Sequence, residues 1–161
     1  MRRVRLVLLS VMVVAGCRAA SAAATDQASV ERVVDGDTID VRIGDRHERV
    51  RLLGIDTPEV YVDQGPPECY GPEASAFTKE LLPAGAAVRL ERDVVGRDDY
   101  GRLLAYVYLV GDGSLVNETL ARQGFARPLT IAPNGVFAAR FVAAAVAAEA
   151  DDLGLWGACG G

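Results

Sequence analysis

Three short stretches of this chain collect residue types that can handle a charged oxygen ester. They are Asp35-Gly36-Asp37-Thr38, then Arg51-Leu52-Leu53-Gly54-Ile55-Asp56-Thr57-Pro58-Glu59, then Arg97-Asp98-Asp99-Tyr100-Gly101-Arg102. Each is ordinary when taken alone: a hairpin turn, a loop or helix start, and a charged turn. Brought together, they make a set. Asp37 and Asp56 with a nearby backbone oxygen are the hard oxygen ligands that Ca²⁺ prefers. So few protein ligands leave positions for water and substrate, and imply weak affinity, of order 10⁻⁴–10⁻³ M. Arg51 alternates with Val50 and Leu52, so its side chain is directed away from the core, and Arg51 with Arg102 can clamp one phosphate through their guanidinium forks. Glu59 lies just past the Asp56 loop, where a carboxylate can hold an attacking water.

The elements needed to position these groups follow from periodicity. Val30 to Val34 is a β-rich run, and Asp35-Gly36 is a turn signal. Ile39, Val41 and Ile43 alternate with Asp40 and Arg42; after Gly44-Asp45, Val50 and Leu52 alternate with Arg49 and Arg51. These three strands form an antiparallel meander that lets Asp37 approach the Asp56 loop. Residues 55–67 read as a loop, and Pro72 opens a helix that ends at Pro83 and Gly85. A fourth strand spans 87–93 and a fifth 103–110. Ser114 is the expected N-cap of a second helix stopped by Gly124, and a third, alanine-rich helix spans 136–150. Leu153, Leu155 and Trp156 are expected to fold back on the body. The fold class is therefore α+β: a five-stranded antiparallel barrel, which removes sheet edges, with three helices.

The 161 residues suit one domain, and half are hydrophobic, enough for a core. The formal charge is −5, the wrong sign for holding nucleic acid by bulk charge. Residues 1–16 read as an export signal, with Arg2, Arg3 and Arg5 before an apolar run from Leu6 to Val14. Its loss removes three positive charges and takes the chain to −8. Val14-Ala15-Gly16-Cys17 resembles a lipobox, with cleavage before Cys17 and lipidation of its sulfur; cleavage after Ala22-Ala23-Ala24 is the alternative. Either reading places the domain outside the cytoplasm, as a membrane-anchored lipoprotein or as a secreted or periplasmic protein. Residues 17–28 read as a flexible spacer, 29–157 as the domain and 158–161 as a tail.

Cys17, Cys69 and Cys159 are the three cysteines. With Cys17 lipidated, Cys69 and Cys159 form an even pair in an oxidising compartment, either as a disulfide or as two free thiols. The single histidine, His47, sits among charges and reads as an exposed residue, and no zinc-ligand cluster is present. Nothing signals an obligate oligomer, and a monomer is expected.

Over residues 30–156 the chain resembles the staphylococcal nuclease (thermonuclease) family. The resemblance rests on Val34 to Thr38, Arg51 to Glu59, Tyr70-Gly71-Pro72-Glu73-Ala74-Ser75-Ala76-Phe77-Thr78-Lys79, Asp98, Tyr100-Gly101-Arg102, Leu104-Ala105-Tyr106, Val116-Asn117-Glu118 and Arg122-Gln123-Gly124. It implies an OB-fold barrel and a Ca²⁺-dependent phosphodiesterase acting on DNA and RNA to leave 3′-phosphate ends. It also implies Asp37, Asp56 and the Thr57 carbonyl as calcium ligands, Glu59 as the residue that activates or orients water, Arg51 and Arg102 as the phosphate-binding pair, and Tyr100 as a contact to the substrate's terminal phosphate. Two departures stand out. Asp99 occupies a position where the best-known member has lysine, and residues 127–133 lack its substrate-flanking tyrosines and run one residue shorter. Weaker binding or a shifted substrate preference is the expectation. The rival reading, a non-catalytic OB-fold nucleic-acid-binding lipoprotein, wants a basic groove and stacking aromatics. The acidic charge and 6% aromatic content oppose it. A purely structural lipoprotein leaves the joint presence of Asp37, Arg51, Asp56, Glu59 and Arg102 unexplained.

Overall fold

Strand β1 (Thr25–Val33), β2 (Thr38–Ile43) and β3 (Arg46–Leu52) form the expected meander. Alternation decides what faces inward: Ile39, Val41, Val50 and Leu52 are fully buried, while Arg42 and Arg49 on the same strands face out. The computed structural model describes residues 25–61 and 65–160. The leader of residues 1–16, Cys17, the rest of the spacer up to residue 24 and the alternative cleavage stretch Ala22–Ala24 lie outside the described residues. After a short strand β4 (Ile55–Asp56), helix α1 (Gly71–Leu81) leads to β5 (Ala87–Glu91) and β6 (Leu103–Leu109). Helix α2 (Val116–Arg122), strand β7 (Arg127–Pro128), helix α3 (Ala138–Ala150) and the single turn α4 (Leu155–Ala158) complete the chain.

The main sheet closes in the order β1-β2-β3-β6-β5, with β5 pairing back to β1. Four of its five contacts are antiparallel, and β3–β6 is parallel. This corrects the all-antiparallel expectation, and the reason is parity. Strand direction cannot alternate all the way round a closed ring with an odd number of members, so one neighbouring pair must run the same way. Residues 25–28 also depart from expectation, being strand and not spacer, because their backbone pairs with Val88 through Glu91 and closes the barrel. Backbone hydrogen bonding needs no apolar side chains, so a small, polar segment can supply that edge.

Helix α1 packs on β1, α2 on β6 and α3, and α3 on β7. Phe141, Ala144, Ala145 and Ala148 of α3 are buried, their small side chains allowing close approach to α2. The Ser114 hydroxyl donates to Asp112 (2.8 Å), and the N-cap of α2 is Leu115, without a side-chain cap. Leu155, in α4, is buried as expected and Trp156 is half-buried, whereas Leu153 is exposed at 38%. Cys69 and Cys159 form a disulfide across 90 positions, so residue 159 is tied to the body and is not a free tail. Loop closure of that length stabilises by roughly 4–5 kcal/mol in the chain-entropy model.

Candidate active site

The β2–β3 register aligns Thr38 with Arg51, which puts Asp37 beside the Arg51 side chain at one end of the barrel. The carbonyl of Asp37 accepts from the Leu52 N–H (2.8 Å), so the carboxylate is fixed by the same pairing. The Asp56 loop is brought up by a two-stranded sheet that the sequence did not reveal: Ile55 pairs with Pro128 and Asp56 with Arg127, and Leu129 N–H donates to the Gly54 carbonyl (3.0 Å). Close approach of the Asp35–Asp37 turn to this loop needs Gly36. A Cβ there would stand 2.5 Å from Thr57 Oγ1.

Asp37 is nearly inaccessible, at 4%. Its Oδ2 accepts from the Thr57 N–H (2.9 Å) and lies 3.1 Å from Arg51 Nη2, while Oδ1 accepts from the Thr38 hydroxyl (3.2 Å). Burial nevertheless pushes its carboxyl up to about 6, against the pull of Arg51 and the Thr57 N–H, with Asp35 and Asp56 adding like-charge repulsion. The Asp56 side chain is half exposed, and its Oδ1 lies 2.7 Å from Arg51 Nη2. Glu59 is exposed as a residue, yet partial desolvation of its carboxyl is the first cause that raises it, followed by repulsion from Asp35 and Asp56, with Arg51 opposing and Glu68 adding further repulsion. Asp35, Asp37, Asp56 and Glu59 thus face essentially one guanidinium.

Arg51 is more heavily engaged than its place on the outer face of a strand suggests. Nη1 donates to the Leu52 and Ile55 carbonyls (2.9 and 2.8 Å), and Nη2 reaches Asp56 and Asp37. Its side chain is 14% exposed. Arg102 is held differently. Asp98, four residues earlier, accepts from the Arg102 N–H (2.8 Å) and from its Nε (2.7 Å). Among the described residues Nε is the only committed nitrogen of that guanidinium, which leaves the terminal amines for a ligand. Burial opposes ionisation of Asp98, but the Arg102 hydrogen bonds prevail and its carboxyl lies below the usual range. Asp98 is a supporting residue that sequence reasoning missed as such; its i, i+4 spacing to Arg102 was the available signal.

Arg51 and Arg102 line one cleft of about 280 Å³, together with Asp98, Asp99, Tyr100, Leu129 and Ile131. Tyr100 is 86% exposed, with its ring 5.5 Å from the Arg102 guanidinium carbon. Leu129 and Ile131 stand where residues 127–133 approach the cleft, so that wall is aliphatic. On the far side of Tyr100 and Arg102 a second hollow is lined by Glu31, Asp40, His47 and Arg49, whose basic members are paired: Arg49 with Asp40 and His47 with Glu31, both at 2.8 Å. His47 is exposed, as expected. The structure thus brings Asp37, Arg51, Asp56, Thr57 and Glu59 to one barrel end and sets Arg102 and Tyr100 across the adjoining cleft. Among the described residues no group of three or more His, Cys, Asp or Glu side chains closes on a single point.

A mixed five-stranded barrel flanked by helices, with carboxylates and paired arginines at one end, defines an OB-fold domain with a polar cleft. The family described as Staphylococcal nuclease homologue matches residues 49–158. The chain is 43% identical over 127 residues to a thermonuclease of Staphylococcus intermedius, covering 79% of this chain and 74% of that one. It is 41% identical to a thermonuclease of Staphylococcus hyicus, covering 79% and 73%, and 40% identical to the endonuclease YncB of Bacillus subtilis (strain 168), covering 82% and 62%. The chain belongs to the staphylococcal nuclease family.

Proposed function

We propose that this protein is an exported, calcium-dependent endonuclease that hydrolyses phosphodiester bonds of DNA and RNA and leaves 3′-phosphate ends. The observation that carries the reading is electrostatic. Buried Asp37 and neighbouring Glu59 both have raised carboxyls in a cluster short of positive charge, and two arginines line the adjoining cleft. A buried carboxylate with further carboxylates beside it in such a deficit suits a cation, and their oxygen chemistry suits a hard one. Asp37, Asp56 and the Thr57 carbonyl would hold Ca²⁺, which when bound supplies positive charge against the phosphate oxygens.

The chain's own groups do the rest. Glu59, whose carboxyl is raised by its surroundings, orients a water and accepts its proton. The water oxygen forms a new bond to phosphorus as the bond to the 5′ oxygen breaks, and the departing oxygen takes a proton from solvent, leaving a 5′-hydroxyl and a 3′-phosphate. Arg51 and Arg102 meet the negative charge that gathers on the phosphoryl oxygens, where fixed guanidinium groups stabilise the transition state more than the ground state. Tyr100 sits beside Arg102 to contact a neighbouring phosphate. Asp99 and the aliphatic wall of Leu129 and Ile131 weaken binding or shift preference relative to a site with a lysine and stacking tyrosines.

The Cys69–Cys159 disulfide supports an oxidising, extracytoplasmic location. Export through the leader, with a lipid anchor at Cys17 or cleavage after Ala24, and a monomeric state complete the proposal. The test is cleavage of single-stranded DNA by the purified domain lacking residues 1–24. Cleavage with Ca²⁺ that stops with excess chelator is expected. No cleavage by a folded domain would overturn the reading in favour of a binding module.

A further inference from the structure

Glu59 stands at the start of a loop, and a loop is a poor platform for a catalytic side chain unless something fixes it. Three contacts from the far end of that loop do so. Glu68 Oε2 accepts from the Glu59 N–H (3.0 Å), and the Glu68 N–H donates to the Glu59 carbonyl (2.9 Å). Gly71 packs so closely that a Cβ there would lie 2.5 Å from the Glu59 carbonyl oxygen.

The bracketing segment is itself anchored. Cys69 is bonded to Cys159 after α4. Tyr70 stacks on Phe125 (5.4 Å between centroids), which stacks on Phe77 of α1 (4.1 Å). The Gly71 N–H donates to the Glu68 carbonyl (3.0 Å). We propose that Glu68 is a positioning residue for Glu59: its two-bond bracket fixes the Glu59 backbone, and the Cys69–Cys159 disulfide ties that bracket to the C-terminal end of the chain. The inference rests on the role given to Glu59 above. An ionised carboxylate is a strong acceptor for a backbone N–H, which suits Glu68 to this task. A displacement of about 1 Å at a reacting group is enough to lower turnover by up to roughly 10²-fold.

The test is steady-state cleavage of single-stranded DNA by the full chain with Ca²⁺. For Glu68→Ala, kcat falls roughly 10- to 100-fold while KM changes less than about threefold, the split expected when the reacting geometry is lost and substrate binding is kept. Glu68→Gln keeps an acceptor oxygen for the Glu59 N–H, and its kcat returns to within about threefold of the parent. In a Glu59→Ala background, Glu68→Ala adds no further loss, because a positioning residue has nothing left to position. The paired Cys69→Ser, Cys159→Ser variant lowers kcat in the same direction and likewise adds nothing to Glu59→Ala.

Wild-type kcat in Glu68→Ala, with Glu59→Ala impaired, overturns the positioning role alone. An undiminished Glu68→Ala loss in the Glu59→Ala background assigns Glu68 a general structural role and also overturns it. Wild-type turnover in Glu59→Ala removes the role of Glu59, and the positioning proposal falls with it.

Discussion

Two polar clusters in this molecule are built from the same residue types and behave in opposite ways. On α2, Glu118 offers one carboxylate oxygen to Arg122 and the other to Arg140. The Arg140 hydrogen bond, ahead of Arg122, holds its carboxyl below the usual range despite burial. Its neighbour Asn117 is fully buried and satisfied, accepting from the Val107 N–H (2.9 Å) and donating to the Leu53 carbonyl (2.8 Å). At the barrel end, four carboxylates face essentially one engaged guanidinium, and both Asp37 and Glu59 are raised. The first cluster has one acid with two cations and locks a helix to the body. The second has an excess of acid, which favours a cation in place of a closed network. A satisfied network stabilises the fold, and a deficient one keeps binding capacity at some cost in stability.

Substitutions at the two clusters should therefore separate activity from stability. The largest effects fall on turnover: Arg102→Ala and Glu59→Ala each lower kcat at least about 10²-fold, as loss of one electrostatic donor or base does, with little change in unfolding midpoint. Near-wild-type turnover in both would end the assignment. Asn117→Ala leaves a buried N–H and a buried carbonyl unpaired and costs about 2–3 kcal/mol in denaturant unfolding, with kcat falling less than for the site variants. Asp37→Asn should abolish calcium-dependent cleavage and yet, in chelator, stabilise the domain by about 1–2 kcal/mol above pH 6.

The pH dependence follows from the same group. A folded pKa raised to about 6 means that the native state binds more protons than the unfolded chain between the ordinary carboxylate value and 6. The chelated protein thus loses stability as pH rises through that window, and Asp37→Asn flattens the curve. An unchanged slope would show that Asp37 is compensated as well as Glu118 is. The smallest effect belongs to Glu118→Gln, about 1 kcal/mol because both arginines are about half exposed. Its sign is opposite: with a lowered folded pKa, Glu118 contributes above the ordinary carboxylate range, and that contribution is lost as pH falls through its folded value.

Much of the fold was legible. Alternation over Ile39–Ile43 and Val50–Leu52 fixed which side chains face inward, and Pro72, Gly124 and the alanine-rich run marked the helices. Period-2 patterns carry no strand direction, so the parallel β3–β6 contact stayed hidden until the ring closed. Residues 25–28 have no apolar signature, because their role is backbone pairing. The β4–β7 pair is two residues long on each side, too short for any periodicity to show.

The residue types of the site were set by local sequence. Asp37, Arg51, Asp56, Thr57, Glu59 and Arg102 sit in turns and strand ends whose composition shows their chemistry, and family membership fixed which protein class they serve. What those groups do as charges was decided by the tertiary structure alone. Burial of Asp37 and its contacts with Arg51 and Thr57 depend on distances between separate segments, whereas the Asp98 grip on Arg102 spans four residues and the Glu68 bracket on Glu59 nine, and their geometry is set by how those short stretches fold. Sequence supplies which functional groups exist, and only the packed barrel sets the separation and dielectric between them, on which every pKa and every charge interaction depends.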